Sequence, residues 1–132
     1  MSLERAIHDL WSADFRLTSL VPAARLFTGE ARGGPPLPYV VLSRFANRPA
    51  VRTSERTIDE TRLRFSVWAS GLDQAKRIAA EIARRFDRQS FEAAGVVCHV
   101  MRRHDDAAAP QAGGAWRLAA DYQVLNEQPQ GV

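Results

Sequence analysis

The chain is poor in cysteine and lysine, and it lacks both long apolar runs and catalytic signatures. Its single cysteine, Cys98, excludes an intrachain disulfide and makes a reducing compartment the expectation. No apolar stretch approaches the roughly 20 residues of a membrane span, so no membrane partner is expected. The opening MSLERAIHDLW carries acidic residues early and no apolar core followed by a small-residue cleavage site. It does not read as a secretory signal, and a cytoplasmic setting follows as an expectation. Neither G-x-S-x-G nor G-x-x-x-x-G-K-[ST] occurs, and Gly33 and Gly34 precede prolines rather than a helix start, so no phosphate cradle is expected there. Lys76 is the only lysine among 18 basic residues. Arginine suits interfaces and phosphates, because its planar fork stays charged when partly buried. A coding sequence rich in G and C produces the same bias.

What remains is an ordinary globular composition. At 132 residues, 45% hydrophobic and 25% charged, the chain suits one domain spanning its whole length. About two thirds of the unfolded surface is buried at this size, enough for a core without a staple.

The clearest signals lie in residues 61–88. Leu63, Phe65, Val67 and Ala69 alternate with Arg62, Arg64, Ser66 and Trp68, the period of a strand with one buried face. The period then changes. Ala75, Ile78, Ala79, Ile82 and Phe86 recur at helical spacing, with charged residues between them. Ser70 and Asp73 read as a capping box at the join.

Around this unit the chain reads in order. Ser2 caps a first helix with an apolar stripe of Leu3, Ala6, Ile7, Leu10 and Trp11. A short helix follows at about 14–20, then a brief extended segment at 24–28. The glycine- and proline-rich 29–38 reads as an exposed loop. Residues 39–45 read as a strand, 90–95 as a connection, 96–103 as a strand, 105–114 as a flexible loop and 115–125 as the last strand. Residues 126–132 read as a flexible polar tail. The expected fold is α+β, in the order α-α-β-β-α-β-β: a mostly antiparallel, four-stranded sheet with helices packed on one face.

Residues 46–60 are long for a link between neighbouring strands and carry charge of both signs: Arg48, Arg52, Glu55, Arg56, Asp59 and Glu60. They form either a loop or a hairpin running beyond the sheet, and in both cases they project. With Arg62, Arg64 and Trp68 on one strand face, they are the candidate protein interface, since Trp and Arg are enriched at such surfaces.

Catalytic readings fare poorly beside this one. Ser70-Gly71 stands at a strand-to-helix turn, but capping explains the serine. Cys98 and His99 are adjacent on a strand and point to opposite faces, so with His104 and the distant His8 they make no expected metal site. Asp59-Glu60 and Asp105-Asp106 read as solvated turns or strand ends rather than acid–base pairs in a cleft. The main alternative is a nucleic-acid-binding domain using Trp68 with Arg62 and Arg64, or Arg84, Arg85, Arg88, Arg102 and Arg103. No RNP, KH or helix-turn-helix pattern supports it.

The chain resembles the tail-completion proteins of tailed bacteriophages, also called tail-terminator or head–tail joining proteins. The resemblance runs over most of its length. It is carried by Ala6, Ile7 and Leu10; by Leu20-Val21 and Arg25-Leu26-Phe27; and by Gly29 with Pro36-Leu37-Pro38-Tyr39-Val40-Val41. It continues in Leu63-Arg64-Phe65-Ser66-Val67-Trp68-Ala69, Gln74-Ala75-Lys76-Arg77-Ile78-Ala79 and Tyr122-Gln123-Val124-Leu125. It implies a structural virion protein of a phage, prophage or gene transfer agent. Such a protein assembles in the host cytoplasm into a ring, usually hexameric. The ring caps the tail tube and joins it to the head connector at the neck, with DNA passing through the lumen. It implies no catalytic residue, cofactor or metal.

Overall fold

The computed structural model describes residues 2–127. Three helices and six strands follow one another: α1 (Leu3–Ser12), α2 (Phe15–Leu20), β1 (Leu26–Thr28), β2 (Tyr39–Arg52), β3 (Thr57–Ala69), α3 (Leu72–Phe86), β4 (Gln89–Ala93), β5 (Val96–Pro110) and β6 (Trp116–Glu127). The fold is α+β, as expected, but the sheet has six strands rather than four, in the order β1-β2-β3-β6-β5-β4. It is mixed, because β1 runs parallel to β2 while every other pairing is antiparallel. It curls into a half-barrel.

Local chemistry sets most boundaries. Ser2 Oγ accepts the Arg5 N–H at 3.1 Å and starts α1, and Asp14 accepts the Leu17 N–H at 3.1 Å and starts α2. The expected capping box at α3 does not form. Gly71 is the N-cap, and Gln74 reaches back instead, its Oε1 accepting from the Ser70 N–H and Oγ–H at 3.0 and 2.9 Å. The bond falls on Gln74, one turn into the helix, because Ser70 lies one residue before the cap.

The core lies between the helices and one sheet face. Phe65 sits at its centre, stacked on Trp11 of α1 and Phe86 of α3, with Tyr122 of β6 edge-on. Both long helices therefore cover the same face. Burying Ile78, Ile82 and Phe86 of α3 contributes roughly 5–9 kcal/mol before chain entropy is counted. Trp11 donates its indole N–H to the Val21 carbonyl at 2.9 Å, which ties the end of α2 to α1.

One stretch resolves between two expected forms, and three differ from theirs. Residues 46–60, expected as either a loop or a hairpin, are the hairpin and not the loop: they form the far half of β2–β3, with only Thr53–Arg56 left as the turn. Thr53 holds that turn by accepting from the Glu55 and Arg56 N–H groups. Residues 105–110 continue β5, because β6 pairs with them in register up to Pro110↔Trp116. Residues 90–95 are not a simple connection: β4 turns into β5 through Ala94-Gly95, both at positive φ, a two-residue hairpin turn. Of the expected tail, Asn126 is buried and Glu127 ends β6, while 128–132 lie outside the described residues.

Candidate functional site

The sheet face turned away from the helices carries most of the candidate interface. Strand pairing sets side chains in rows across β2, β3 and β6: Tyr39–Trp68–Arg117, Ser43–Arg64–Asp121, Ala46–Arg62–Gln123 and Arg48–Glu60–Leu125. Period two along each strand keeps them on one side.

These rows are joined by charge. Arg64 donates to both carboxylate oxygens of Asp121, at 2.7 and 3.1 Å, and lies 5.0 Å from the Phe45 ring centre. The Asp121 hydrogen bond raises the Arg64 pKa above its ordinary value, against the opposing effect of burial. Arg48 donates twice to one Glu60 oxygen, at 2.9 and 3.2 Å, and Arg62 stands 3.5 Å from the other. The Arg48 hydrogen bond, with the two positive charges, holds the Glu60 carboxyl below its usual range. At the upper end Trp68 stacks on Tyr39 at 5.8 Å, Arg117 lies 5.9 Å over its ring, and Arg117 also donates to Ser66 Oγ at 3.0 Å.

The structure thus brings Arg48, Glu60, Arg62, Arg64 and Trp68 onto one surface. It does not bring all nine candidates together. Asp59 alternates to the other side of β3, and Arg52, Glu55 and Arg56 sit at the hairpin end. Arg56 reaches back to Glu127 at 3.5 Å. Sequence reasoning missed Arg117, Asp121 and Phe45. Arg117 and Asp121 belong to the polar period of β6, but that β6 lies beside β3 is not written in either strand.

Shallow grooves mark both ends of this face. One of about 310 Å³ lies over Ala46, Asn47, Arg48, Glu60 and Arg62. Another of about 300 Å³ runs past Tyr39, Ser66, Trp68 and Arg117 to Gly29 and Glu30. In the first groove Arg48, Glu60 and Arg62 are paired with one another, and in the second Arg117 is held by Ser66 and the Trp68 ring, so neither shows a pair of groups set for acid–base or nucleophilic chemistry. Ser70 is held by Gln74, and burial pushes the Cys98 thiol up to about 12, so it is no nucleophile. Among the described residues, no group of three His, Cys, Asp or Glu side chains could hold a metal ion.

The basic residues do not form one patch. Arg84 binds Asp14 at 2.8 Å and Glu81 at 2.7 Å, Arg103 pairs with Asp106, and Arg102 and Arg103 alternate to opposite sides of β5. Phosphate binding needs cations free of internal partners, and few of these are.

The family model described as "Tail completion protein gp17" matches residues 5–125. Among solved structures, a chain from "Virion of native gene transfer agent (GTA) particle" superposes with a TM-score of 0.74 at 16% identity, covering 96% of this chain and 95% of that one. A second solved chain superposes at 0.56 and 12% identity, covering 93% of this chain and 89% of that one. None of the curated proteins matches the sequence.

Proposed function

The chain belongs to the tail completion protein gp17 family, a structural component of phage-type virions and not an enzyme, and from that premise we propose that it is the ring-forming terminator of the tail. In this reading copies of the chain close into a ring, hexameric as the family resemblance implies. The ring caps the finished tail tube and joins it to the head connector, and DNA passes through its lumen without sequence-specific contact.

The observation that carries the reading is the family match over nearly the whole chain. The similarity to a chain of a native gene transfer agent virion, end to end in both, agrees with a particle component. The outer sheet face adds a physical reason. Charges of both signs held in fixed rows favour register and partner choice over raw affinity. The nine residues Arg48, Arg52, Glu55, Arg56, Asp59, Glu60, Arg62, Arg64 and Trp68 are the proposed contacts with neighbouring protomers, the tube protein and the connector.

The test shortens the hairpin. Replacing residues 49–59 by Asn-Gly leaves Arg48 and Glu60 paired across a two-residue turn, which suits the strand twist. The variant should fold as a monomer, fail to form rings by native mass spectrometry, and be left out of particles. Full incorporation of the shortened chain would sink this reading of the hairpin.

A further inference from the structure

Two long stretches of sheet edge have no partner strand among the described residues. On one side, β1 covers β2 only from Val40 to Leu42, so Ser43–Arg52 is an open edge. On the other side, β4 covers β5 only from Val96 to Met101, and the Asp87 carboxylate takes the Arg103 N–H at 2.8 Å. From His104 to Pro110 the β5 edge is open as well. The two lie at diagonally opposite corners of the sheet. The β2 stretch runs toward the Thr53–Arg56 turn, and the β5 stretch runs toward the Ala112–Gly114 turn at the other end.

From these edges we infer that neighbouring protomers in the ring join by main-chain pairing, with the open β2 edge of one laid antiparallel against the open β5 edge of the next. The inference rests on the ring proposed above and adds the joint that would close it.

Charge selects this pairing over the alternatives. The β2 stretch holds Arg44, Arg48 and Arg52 and no acid, while the β5 stretch holds Asp105 and Asp106 and no lysine or arginine. Joining β2 to β2 would oppose arginines, and joining β5 to β5 would oppose aspartates; like charges across strands are destabilising. Only the unlike pair is attractive, and an unlike pair is heterologous, the kind of contact that closes rings. Arg44 is bound to Glu4, Arg48 to Glu60 and Asp106 to Arg103, so the charges left for a neighbour are Arg52 and Asp105, which have no ion pair among the described residues.

Direction agrees. Through three antiparallel steps, β2 and β5 of one protomer run opposite ways. Rotation about a ring axis preserves both direction and height along that axis, so β5 and the neighbour's β2 meet antiparallel, and in this joint the strands tilt across the axis, as barrel strands do, to bring the two diagonal corners level. Shape agrees too. Beside the β5 edge, against α3, runs a groove of about 280 Å³ lined by Lys76, Ala79, Ala80, Ala107, Ala108 and Leu118. Its small residues let a strand approach. Pro49 withholds one N–H and the bulges near it break the ladder, so the joint has two short runs rather than one long one.

Cysteine cross-linking tests it. Single variants at Ala46, Ala50 and Arg52 would be mixed pairwise with variants at Asp105, Ala107 and Ala109 and oxidised. Cys98 stays in place because it is buried, with the unaltered chain as control. Disulfide-linked dimers should form in mixtures and not in either partner alone. Reactive pairs should move C-terminally on one strand as they move N-terminally on the other, since the bond needs Cα atoms within about 7 Å. Rings of native mass with no cross-link in any mixture, or cross-links between β2 variants alone, would overturn the joint while leaving the ring. A monomeric mass for the unaltered protein, alone and with tail tubes, would remove the ring and the joint together.

Discussion

Trp68→Ala should harm ring assembly more than it harms the fold, and the two effects can be separated by number. In the single chain Trp68 is partly exposed. Its contacts are the stack on Tyr39 at 5.8 Å and the Arg117 guanidinium at 5.9 Å. An aromatic pair is worth about 1 kcal/mol beyond burial and a cation–π contact about 0.5–1 kcal/mol, so the folding cost should be near 2 kcal/mol. Phe65→Ala is the control. Its side chain is fully buried among Trp11, Phe86 and Tyr122, and its loss should cost about 3–5 kcal/mol. At roughly 3 °C per kcal/mol for a domain of this size, melting should fall by about 6 °C for Trp68→Ala and about 9–15 °C for Phe65→Ala. A tryptophan anchor in an interface costs about 2 kcal/mol or more on truncation, about thirty-fold in association. Scanning calorimetry and native mass spectrometry across a concentration series read the two quantities. A melting loss as large as that of Phe65→Ala, with an unchanged ring, would make Trp68 a packing residue and refute the reasoning.

Further outcomes follow from single side chains. Trp11→Phe loses a buried hydrogen bond to the Val21 carbonyl and should cost about 1–3 kcal/mol by urea unfolding. Tyr122→Phe should be neutral or stabilising in the same assay, because the buried Tyr122 hydroxyl meets no protein partner among the described residues. Burial raises the Asp14 pKa, but the hydrogen bonds from Arg84 and the Leu17 and Arg16 backbone outweigh it and hold the carboxyl below 3.8. Its stabilisation is complete above the unfolded value and lost as pH falls through the lower folded one. Asp14→Ala should thus lower stability by about 1–2 kcal/mol at pH 7, with the gap to the unaltered protein closing only below about pH 4. Cys98 should react with a thiol reagent at neutral pH only after denaturant is added, and prompt reaction of the native protein would show that the β5 base opens.

Much of this protein is legible in its residues one at a time. The alternation of Leu63, Phe65, Val67 and Ala69 and the helical recurrence of Ile78, Ile82 and Phe86 place β3 and α3, because a side chain's face follows directly from backbone period. The opposite exposure of Cys98 and His99 follows from the same rule. β4 was harder to read. The signal was Ala94-Gly95, a two-residue turn that does not use the usual Asn-Gly, so the short Phe91-containing strand before it reads as a connection.

What the sequence determined by itself was the class of structure and which face of each central element is apolar. It also determined that 46–60 carries charge of both signs and that the family pattern is spread over the chain. Only the tertiary structure decided that 46–60 and 105–110 are strand. Those residues are polar or small, and their extended form is held by main-chain hydrogen bonds to a neighbouring strand, which no local period records. It also decided that Arg64 meets Asp121 and that two edges stay open, because strand order is a property of the whole sheet.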